Sequence, residues 1–564
     1  MIVNQIFTMK NPLLVTLLIL FFGHAIIAQQ GYYGKFNFTK ADTLRGMLSK
    51  ERSCYDVTYY DLNIAVDIQK KFIKGFVDIH FDVMADFDVL QIDLYKNMVI
   101  EEISLYDQPL TYNRLYDAVF VHFPLKMEKG GNATIRVYYS GFPTSAKNPP
   151  WDGGFVWAED SQVRPWVGVA CEGDGASMWW PNKDHLSDEP DSMSIRVAVP
   201  NGLTCISNGN LRKSEPYYPG YTLWDWFVSY PINNYNVSIN IGHYAHFTDT
   251  YTSTEDGTSL NLDYYVLDYN LAKAKIHFEQ VKPMLACYEK YFGKYPFWND
   301  GYALVETPYL GMEHQSAIAY GNNYMRGYRG GMIPRDMNWD FLIIHESGHE
   351  YFGNAVSISD HCDMWIHESF TTYMEALYVE CMFSYADAIR YLEGQRNFIR
   401  NLEPMVGPRN VNWDDFSSSD HYFKGSWMLH TFRNVIDDDE KWFAFLRAYY
   451  ERFKFTNTST GEFLAFVNDY FQKDYSKFFQ QYLFHPGLPR LGYKLKQKGK
   501  NLQVKYTWFA NVEGFDMPVK IGRKGSYETI YPVAGKSKET VLKNMKKADF
   551  QIATEFYYVK KASL

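Results

Sequence analysis

The sequence has few cysteines, only one long apolar run and no long run of Lys or Arg. Its net charge is -9, and this balance argues against nucleic acid or an anionic membrane as the main partner. The six cysteines are scattered and form no C-x-x-C pair, so a zinc site built from cysteine thiolates is not expected. Their spacing also gives no basis for predicting any particular disulfide.

The one long apolar run lies at the N-terminus and is typical of a signal peptide. It covers residues 13–22, follows Lys10, and gives way to a segment that ends in Ala28. A basic residue, a short apolar segment and a small residue before the cut describe a cleavable signal peptide over residues 1–28. No later segment approaches the length of a membrane span. We therefore expect a secreted or periplasmic protein without stable membrane insertion after signal cleavage.

The remaining sequence indicates several domains. Its 564 residues are too many for one ordinary domain, and the 46% hydrophobic content is that of a globular protein. Short alternating runs such as residues 57–66 predict an N-terminal antiparallel β domain over residues 45–250. Helical periodicity predicts a mainly helical domain over residues 251–485, with Pro283 kinking or interrupting its first helix. Alternation returns in a small C-terminal β domain over residues 486–564, so the predicted fold class is multidomain α+β.

The strongest functional signal is the segment His-Glu-Ser-Gly-His at residues 345–349. Residues four apart share one face of a helix, so the His345 and His349 imidazoles can bind one metal ion. Glu346 can act on a water molecule without binding the metal. Glu368, on a second helical segment, supplies a carboxylate. Two histidines and one carboxylate leave zinc an open fourth position, which is the catalytic arrangement.

Other patterns of metal ligands fit this sequence less well. A third histidine six residues after the motif would fall at Ala355, so the three-histidine pattern of the metzincins is excluded. His367 adjoins Glu368 and would point to a different side of the same helix. The predicted cofactor is therefore zinc, bound by two histidines and one glutamate.

These motifs resemble those of the aminopeptidase N family of zinc metallopeptidases, gluzincins with the pattern H-E-x-x-H-x18-E. Residues 345–354 and 365–370 are similar to the zinc-binding helices of that family. Leu-Gly-Met-Glu-His at residues 310–314 resembles its exopeptidase motif G-x-M-E-N, and Tyr-Phe-Lys-Gly at residues 422–425 resembles its Y-x-K-G segment. The resemblance implies a thermolysin-like catalytic domain that removes N-terminal residues from peptide substrates.

The resemblance also implies a role for each matched residue. Glu313, with its neighbours Gly311 and Met312, would bind the free α-amine of the substrate. Glu172 stands where the family places a second residue that binds the amine. Tyr422 would donate a hydrogen bond to the oxyanion of the tetrahedral intermediate.

Two further residues near these motifs invite a prediction. His314 replaces the usual Asn of the exopeptidase motif, and we expect it to hold the substrate backbone in a different way. Glu375 lies on the same helix face as Glu368 and either supports a zinc-bound histidine or has a simple surface role.

Two alternatives to an aminopeptidase stay open at this point. The first is a zinc endopeptidase or dipeptidase that has little need for a free α-amine. The second is a catalytically inactive secreted binding protein that retains the fold.

Overall fold

The computed structural model describes residues 32–413 and 416–564, and the predicted signal peptide over residues 1–28 lies outside them. In chain order, the described residues form a β-rich N-terminal region, a mainly helical central region and a C-terminal β region. The predicted multidomain α+β fold class is therefore confirmed. Among the helices of residues 32–413 and 416–564, none combines the length and the apolar character of a membrane span.

The N-terminal region begins with two short helices and continues as three sheets. Its elements are α1 (Lys40–Gly46), α2 (Lys50–Ser53), β1 (Tyr55–Asp67), β2 (Phe72–Val83), β3 (Phe87–Asp93), β4 (Met98–Leu105), β5 (Gln108–Pro109), β6 (Thr111–Leu115), β7 (Ala118–Met127), β8 (Asn132–Gly141), β9 (Gly154–Glu159), β10 (Pro165–Ala170), β11 (Ser192–Pro200), β12 (Thr204–Ile206), β13 (Asn210–Pro216), β14 (Tyr221–Val228) and β15 (Asn240–Gly242). The sheets have the orders β13-β14-β11-β1-β2-β8-β4-β5, β12-β15-β10-β9 and β3-β7-β6. Most neighbours run antiparallel, as predicted, whereas β1 and β11 run parallel.

Alternation explains why β1 takes its place at the centre of the largest sheet. Tyr60, Leu62, Ile64 and Val66 are buried, and the residues between them are only half-buried. Successive side chains of a strand point to opposite faces, so this pattern places one apolar face on the core.

The central region contains a five-stranded sheet and most of the helices. Its elements are β16 (Tyr244–Thr252), β17 (Ser259–Leu267), α3 (Leu271–His277), α4 (Val281–Phe292), β18 (Tyr302–Glu306), β19 (Gly311–Met312), β20 (Ile318–Tyr320), α5 (Phe341–His349), β21 (Val356–Ile358), α6 (Trp365–Met382), α7 (Tyr385–Gln395), α8 (Asp420–Ile436), α9 (Asp439–Phe453), β22 (Thr456–Thr458), α10 (Thr460–Phe471) and α11 (Ser476–Leu483). The sheet order is β16-β17-β18-β20-β19.

The predicted interruption of the first long helix is present. A short 3-10 turn at Phe278–Gln280 separates α3 from α4. Pro283 is the third residue of α4, in the first turn of the helix, where a backbone N–H has no helical acceptor.

The C-terminal region consists of two small sheets, β27-β24-β23-β29 and β26-β25-β28. Their strands are β23 (Arg490–Lys498), β24 (Asn501–Phe509), β25 (Val519–Arg523), β26 (Ser526–Ile530), β27 (Lys538–Leu542), β28 (Gln551–Ile552) and β29 (Lys560–Ser563).

Two hydrophobic cores meet at the central sheet. One core runs from Tyr251 to Val559 and joins the helices to the C-terminal strands, whereas the other fills the N-terminal region. Along β18, Leu304 packs into the first core, while Ala303 and Val305 pack into the second. The sheet therefore lies between the two cores, and β19 is at its edge. The predicted domain boundary at residue 250 falls within β16, and the domain boundaries stay predictions.

One disulfide ties two helices of the central region together. Cys287 of α4 is bonded to Cys381 near the end of α6, with the two Cα atoms 6.0 Å apart. The other four cysteines are buried thiols. No sequence pattern predicts this pair, because the two cysteines lie 94 residues apart.

Candidate active site

Two packed helices bring the predicted metal ligands together. The Asp340 carboxylate caps α5 by accepting a hydrogen bond from the Leu342 N–H at 2.9 Å. The Nε2 atoms of His345 and His349 lie 3.2 Å apart. The Oε2 atom of Glu368, on α6, lies 3.7 Å and 3.5 Å from these two nitrogens. The three atoms converge on one point, as the spacing of the residues predicts.

The hydrogen bonds of the two imidazoles show that this point suits a cation. The Nδ1 atom of His345 is 2.6 Å from the Glu375 carboxylate, and that of His349 is 3.0 Å from the Phe352 carbonyl oxygen. Since both oxygens accept hydrogen bonds, both Nδ1 atoms carry the proton, and both Nε2 atoms present lone pairs. The buried Oε2 of Glu368 has no hydrogen-bond partner among the described residues. Three lone-pair atoms that face one another fit the two-histidine, one-carboxylate donor set of zinc.

Glu375 holds the first of these imidazoles in place. It is fully buried, and it also accepts hydrogen bonds from the Tyr391 hydroxyl at 2.5 Å and the Gln395 side-chain amide at 3.4 Å. Of the two possibilities that the sequence left open, the structure therefore shows the contact with a predicted ligand rather than a surface position.

Glu346 lies beside the predicted metal ligands and under β19, the strand that precedes Glu313. A Cβ atom added to Gly311 would lie 2.7 Å from the Glu346 Oε1 and 2.3 Å from the Leu342 side chain. A glycine is therefore needed for this strand to pass so close to the carboxylate. Burial raises the pKa of Glu346 to about 7, against the opposing effect of the two histidines. A carboxylate with such a pKa is suited to both accepting and donating a proton near neutral pH.

Two more carboxylates line the cavity, and an oxygen of Glu313 lies within 4.8 Å of side-chain atoms of Glu346 and His349. Glu313 follows β19 and accepts a hydrogen bond at 3.0 Å from the hydroxyl of Tyr235, a buried residue of the N-terminal region. Burial raises the pKa of Glu313, and burial together with the Glu313 carboxylate raises the pKa of Glu172 well above its ordinary value. Two adjacent carboxylates in a low-dielectric site favour a bound cation, such as an ammonium group, between them.

Tyr422 is placed by a close contact between two helices. It lies in the first turn of α8, and its ring centroid is 6.1 Å from that of His345. A Cβ atom added to Gly425 would lie 1.7 Å from the Ser369 Oγ, so α8 can pack against α6 only because this residue is glycine. Burial and the nearby Glu368 raise the pKa of Tyr422 well above its ordinary value, which keeps the hydroxyl protonated and able to donate.

All of the predicted site residues line a single cavity of about 850 Å³. They are His345, Glu346, His349, Glu368, Tyr422, Glu313, Glu172, Gly311 and Met312. The cavity is large enough for a small peptide.

One expectation from the sequence is wrong, and one contributing residue was missed. His314 is fully buried, its ring nitrogens have no partner among the described residues, and burial lowers its pKa to about 3. It therefore cannot hold a substrate backbone in this cavity. Tyr235 was missed because it belongs to no motif and reaches Glu313 from 78 residues away.

The chain is similar in sequence to known peptidases. Residues 276–482 match the Peptidase family M1 domain. The chain is 24% identical to aminopeptidase B of Mus musculus over 294 residues, which cover 49% of this chain and 42% of that protein. It is 23% identical to aminopeptidase N of Lactobacillus helveticus over 484 residues, which cover 81% of this chain and 54% of that protein. The chain thus spans about half the length of these relatives.

A solved structure shares the fold. It is a crystal structure of an M1 zinc metallopeptidase mutant from Deinococcus radiodurans bound to a Tyr-Ser-Ala substrate. The TM-score is 0.65 at 20% identity, and the match covers 76% of this chain and 94% of that chain.

Proposed function

We propose, from the premise that residues 276–482 form a peptidase family M1 domain, that this chain is a zinc-dependent aminopeptidase acting on peptides. One observation supports this proposal most strongly. The lone pairs of His345, His349 and Glu368 converge beside Glu346 in the same cavity that holds the Glu313 and Glu172 carboxylates. A metal donor set, a base and an amine-binding pair are thus supplied together.

Zinc held by His345, His349 and Glu368 would supply a Lewis acid that polarises the scissile carbonyl and makes water more acidic. Glu346 would accept a proton from the attacking water and later donate it to the leaving amine. The Tyr422 hydroxyl would donate a hydrogen bond to the oxyanion of the tetrahedral intermediate.

The Glu313 and Glu172 carboxylates favour an exopeptidase over an endopeptidase. Glu313 and Glu172 would accept hydrogen bonds from the protonated α-amine and place the first peptide bond beside Glu346. A peptide bond in the middle of a chain brings no charged amine to this position. The proposed reaction is therefore the removal of one residue at a time from a free N-terminus.

The proposal is tested by combining metal analysis with a time course of peptide cleavage. We expect about one zinc per chain, stepwise release of N-terminal residues, loss of turnover on chelation and recovery on adding zinc. Full activity in a preparation without zinc would overturn the metal assignment. A zinc-loaded protein that binds peptides without cleaving them would favour the inactive binding protein.

We also propose that the chain is exported to a secreted or periplasmic location. Two observations support this location: the signal-peptide pattern of residues 1–28 and the Cys287–Cys381 disulfide, which an oxidising compartment favours. Intact-mass measurement of the natural protein should give a chain that begins at Gln29. A cytoplasmic protein that retains its first 28 residues would contradict the proposal.

A further inference from the structure

The charges of the cavity wall are unevenly distributed. Glu172, Glu313, Glu346, Glu368 and Glu375 contribute five carboxylates. Arg400 is the only lysine or arginine that lines the same cavity within the described residues. Among the described residues of the cavity wall, only Arg400 offers a positive charge to a negatively charged group of a bound peptide.

The backbone of Arg400 is fixed to the helix that carries Tyr422. The Asp420 carboxylate, fully buried in the first turn of α8, accepts hydrogen bonds from the Arg400 N–H at 2.7 Å and the Leu402 N–H at 3.3 Å. These contacts hold the loop after α7 against the first turn of α8, and both Arg400 and Tyr422 line the cavity.

The guanidinium group of Arg400 has no ionic partner among the residues that the structure describes. The side chain is exposed, and no carboxylate of the described residues forms an ion pair with it. The neighbouring carboxylates have other donors: Asp420 accepts from backbone N–H groups, and Glu403 accepts from the Ser417 and Ser418 hydroxyls at 3.0 Å each. A planar guanidinium with free donors is well suited to a bidentate contact with a carboxylate.

We propose that Arg400 binds a carboxylate of the substrate on the leaving-group side of the scissile bond. This inference rests on the proposed aminopeptidase function and names the substrate class, which is short peptides with a negative charge one or two residues beyond the cut. An extended chain advances about 3.5 Å per residue, so a tripeptide spans roughly 7 Å past the bond that is broken. The C-terminal carboxylate of a di- or tripeptide and an acidic side chain at the second or third position share this chemistry.

The test compares a neutral tripeptide as the free acid with the same tripeptide as the C-terminal amide. For the natural protein we expect a preference for the acid on the order of tenfold in kcat/KM, because one charge-assisted contact is lost in the amide. The difference should lie in KM rather than kcat, since this contact is made away from the reacting atoms. A second comparison uses amidated tripeptides that carry either Glu or Gln at the second or third position. A higher kcat/KM for the Glu peptides would show that Arg400 binds an acidic side chain rather than the terminal carboxylate.

Two variants of Arg400 and a matched control complete the design. Arg400→Gln should lower kcat/KM for the tripeptide acid to the value for the amide. Arg400→Lys should retain part of the preference for the acid. With an aminoacyl nitroanilide, which has no carboxylate, Arg400→Gln should lower kcat/KM far less than it does with the tripeptide acid. The control Arg212→Gln, at an exposed position in β13 of the N-terminal region, should leave the preference unchanged.

A binding measurement keeps this proposal separate from the proposed function. Calorimetry with the zinc-loaded Glu346→Gln variant should show tighter binding of the acid, and adding Arg400→Gln should remove the difference. Equal binding of acid and amide, or a preference that survives Arg400→Gln, would overturn the role of Arg400. If the Glu346→Gln variant binds the acid more tightly than the amide but the natural protein cleaves no peptide, only the proposed aminopeptidase function fails.

Discussion

Two proposed parts of the cavity wall, a metal half with the predicted zinc ligands and an amine half with Glu313 and Glu172, are built differently. In the metal half, His345, His349 and Glu368 come from two packed helices of the central region. In the amine half, Glu313 follows an edge strand of the central sheet, whereas Glu172 follows β10 of the N-terminal region. The first half depends on contacts inside one hydrophobic core, and the second depends on how two cores meet.

One tyrosine links the two parts of the amine half. The Tyr309 hydroxyl donates a hydrogen bond at 3.0 Å to the Val169 carbonyl oxygen in β10. A Cβ atom added to Gly168 would lie 2.9 Å from the Tyr309 ring, so this glycine lets the two segments approach. Hydrolytic chemistry and the preference for a free N-terminus should therefore be separable by mutation.

The largest expected effect lies in the metal half. Glu346→Gln removes the proposed base and keeps the ligands, so turnover should fall by roughly two to four orders of magnitude while zinc is retained. The loss should be equal for free and N-acetylated peptides. Steady-state kinetics with parallel metal analysis checks this, and a near-normal rate would remove Glu346 from the mechanism.

Tyr422→Phe should have the next largest effect. The loss of one oxyanion donor is expected to lower kcat by on the order of a hundredfold, with little change in substrate binding. Kinetics on one peptide series gives both quantities. If KM rose and kcat stayed the same, Tyr422 would be a substrate-binding residue instead.

Glu375→Gln should weaken the hold on the metal. Removing the carboxylate that orients His345 is expected to lower zinc affinity by about 10- to 100-fold. Competition with a chromogenic chelator measures this affinity. Glu393→Gln, at an exposed position in α7, is the matched control, and equal affinities in the two variants would show that Glu375 has only a packing role.

The smallest expected effect lies in the amine half. Tyr235→Phe removes one hydrogen bond to Glu313 and should lower kcat/KM for free peptides by roughly tenfold. Activity on N-acetylated peptides should change little, in contrast to the metal-half variants. An equal loss on both kinds of peptide would contradict the division of the cavity, and Tyr218→Phe, in an exposed loop of the same region, serves as the control.

Local pattern accounts for what could be predicted from the sequence. The spacing of His345 and His349 fixes their common helix face, and the alternation of residues 57–66 fixes a strand, because both patterns depend only on neighbours along the chain. The position of Glu375 stayed open, since helix periodicity gives a face but does not show what packs against it.

Long-range packing accounts for what could not be predicted. Tyr235 and the Cys287–Cys381 pair depend on contacts between residues that are 78 and 94 positions apart. The error at His314 arises because the motif gives a residue type but not the direction of its side chain. His314 lies two residues after β19 and is fully buried, whereas Glu313 beside it lines the cavity.

The most direct test of the account is the ratio of kcat/KM for one tripeptide with a free N-terminus to that for its N-acetylated copy. With the zinc-loaded protein we predict a ratio of at least about 30, because a charged amine bound by Glu313 and Glu172 is lost on acetylation. Release should start at the N-terminal residue, and Glu313→Ala should reduce the ratio toward one. Internal cleavage of the acetylated peptide as fast as that of the free peptide would contradict the aminopeptidase assignment.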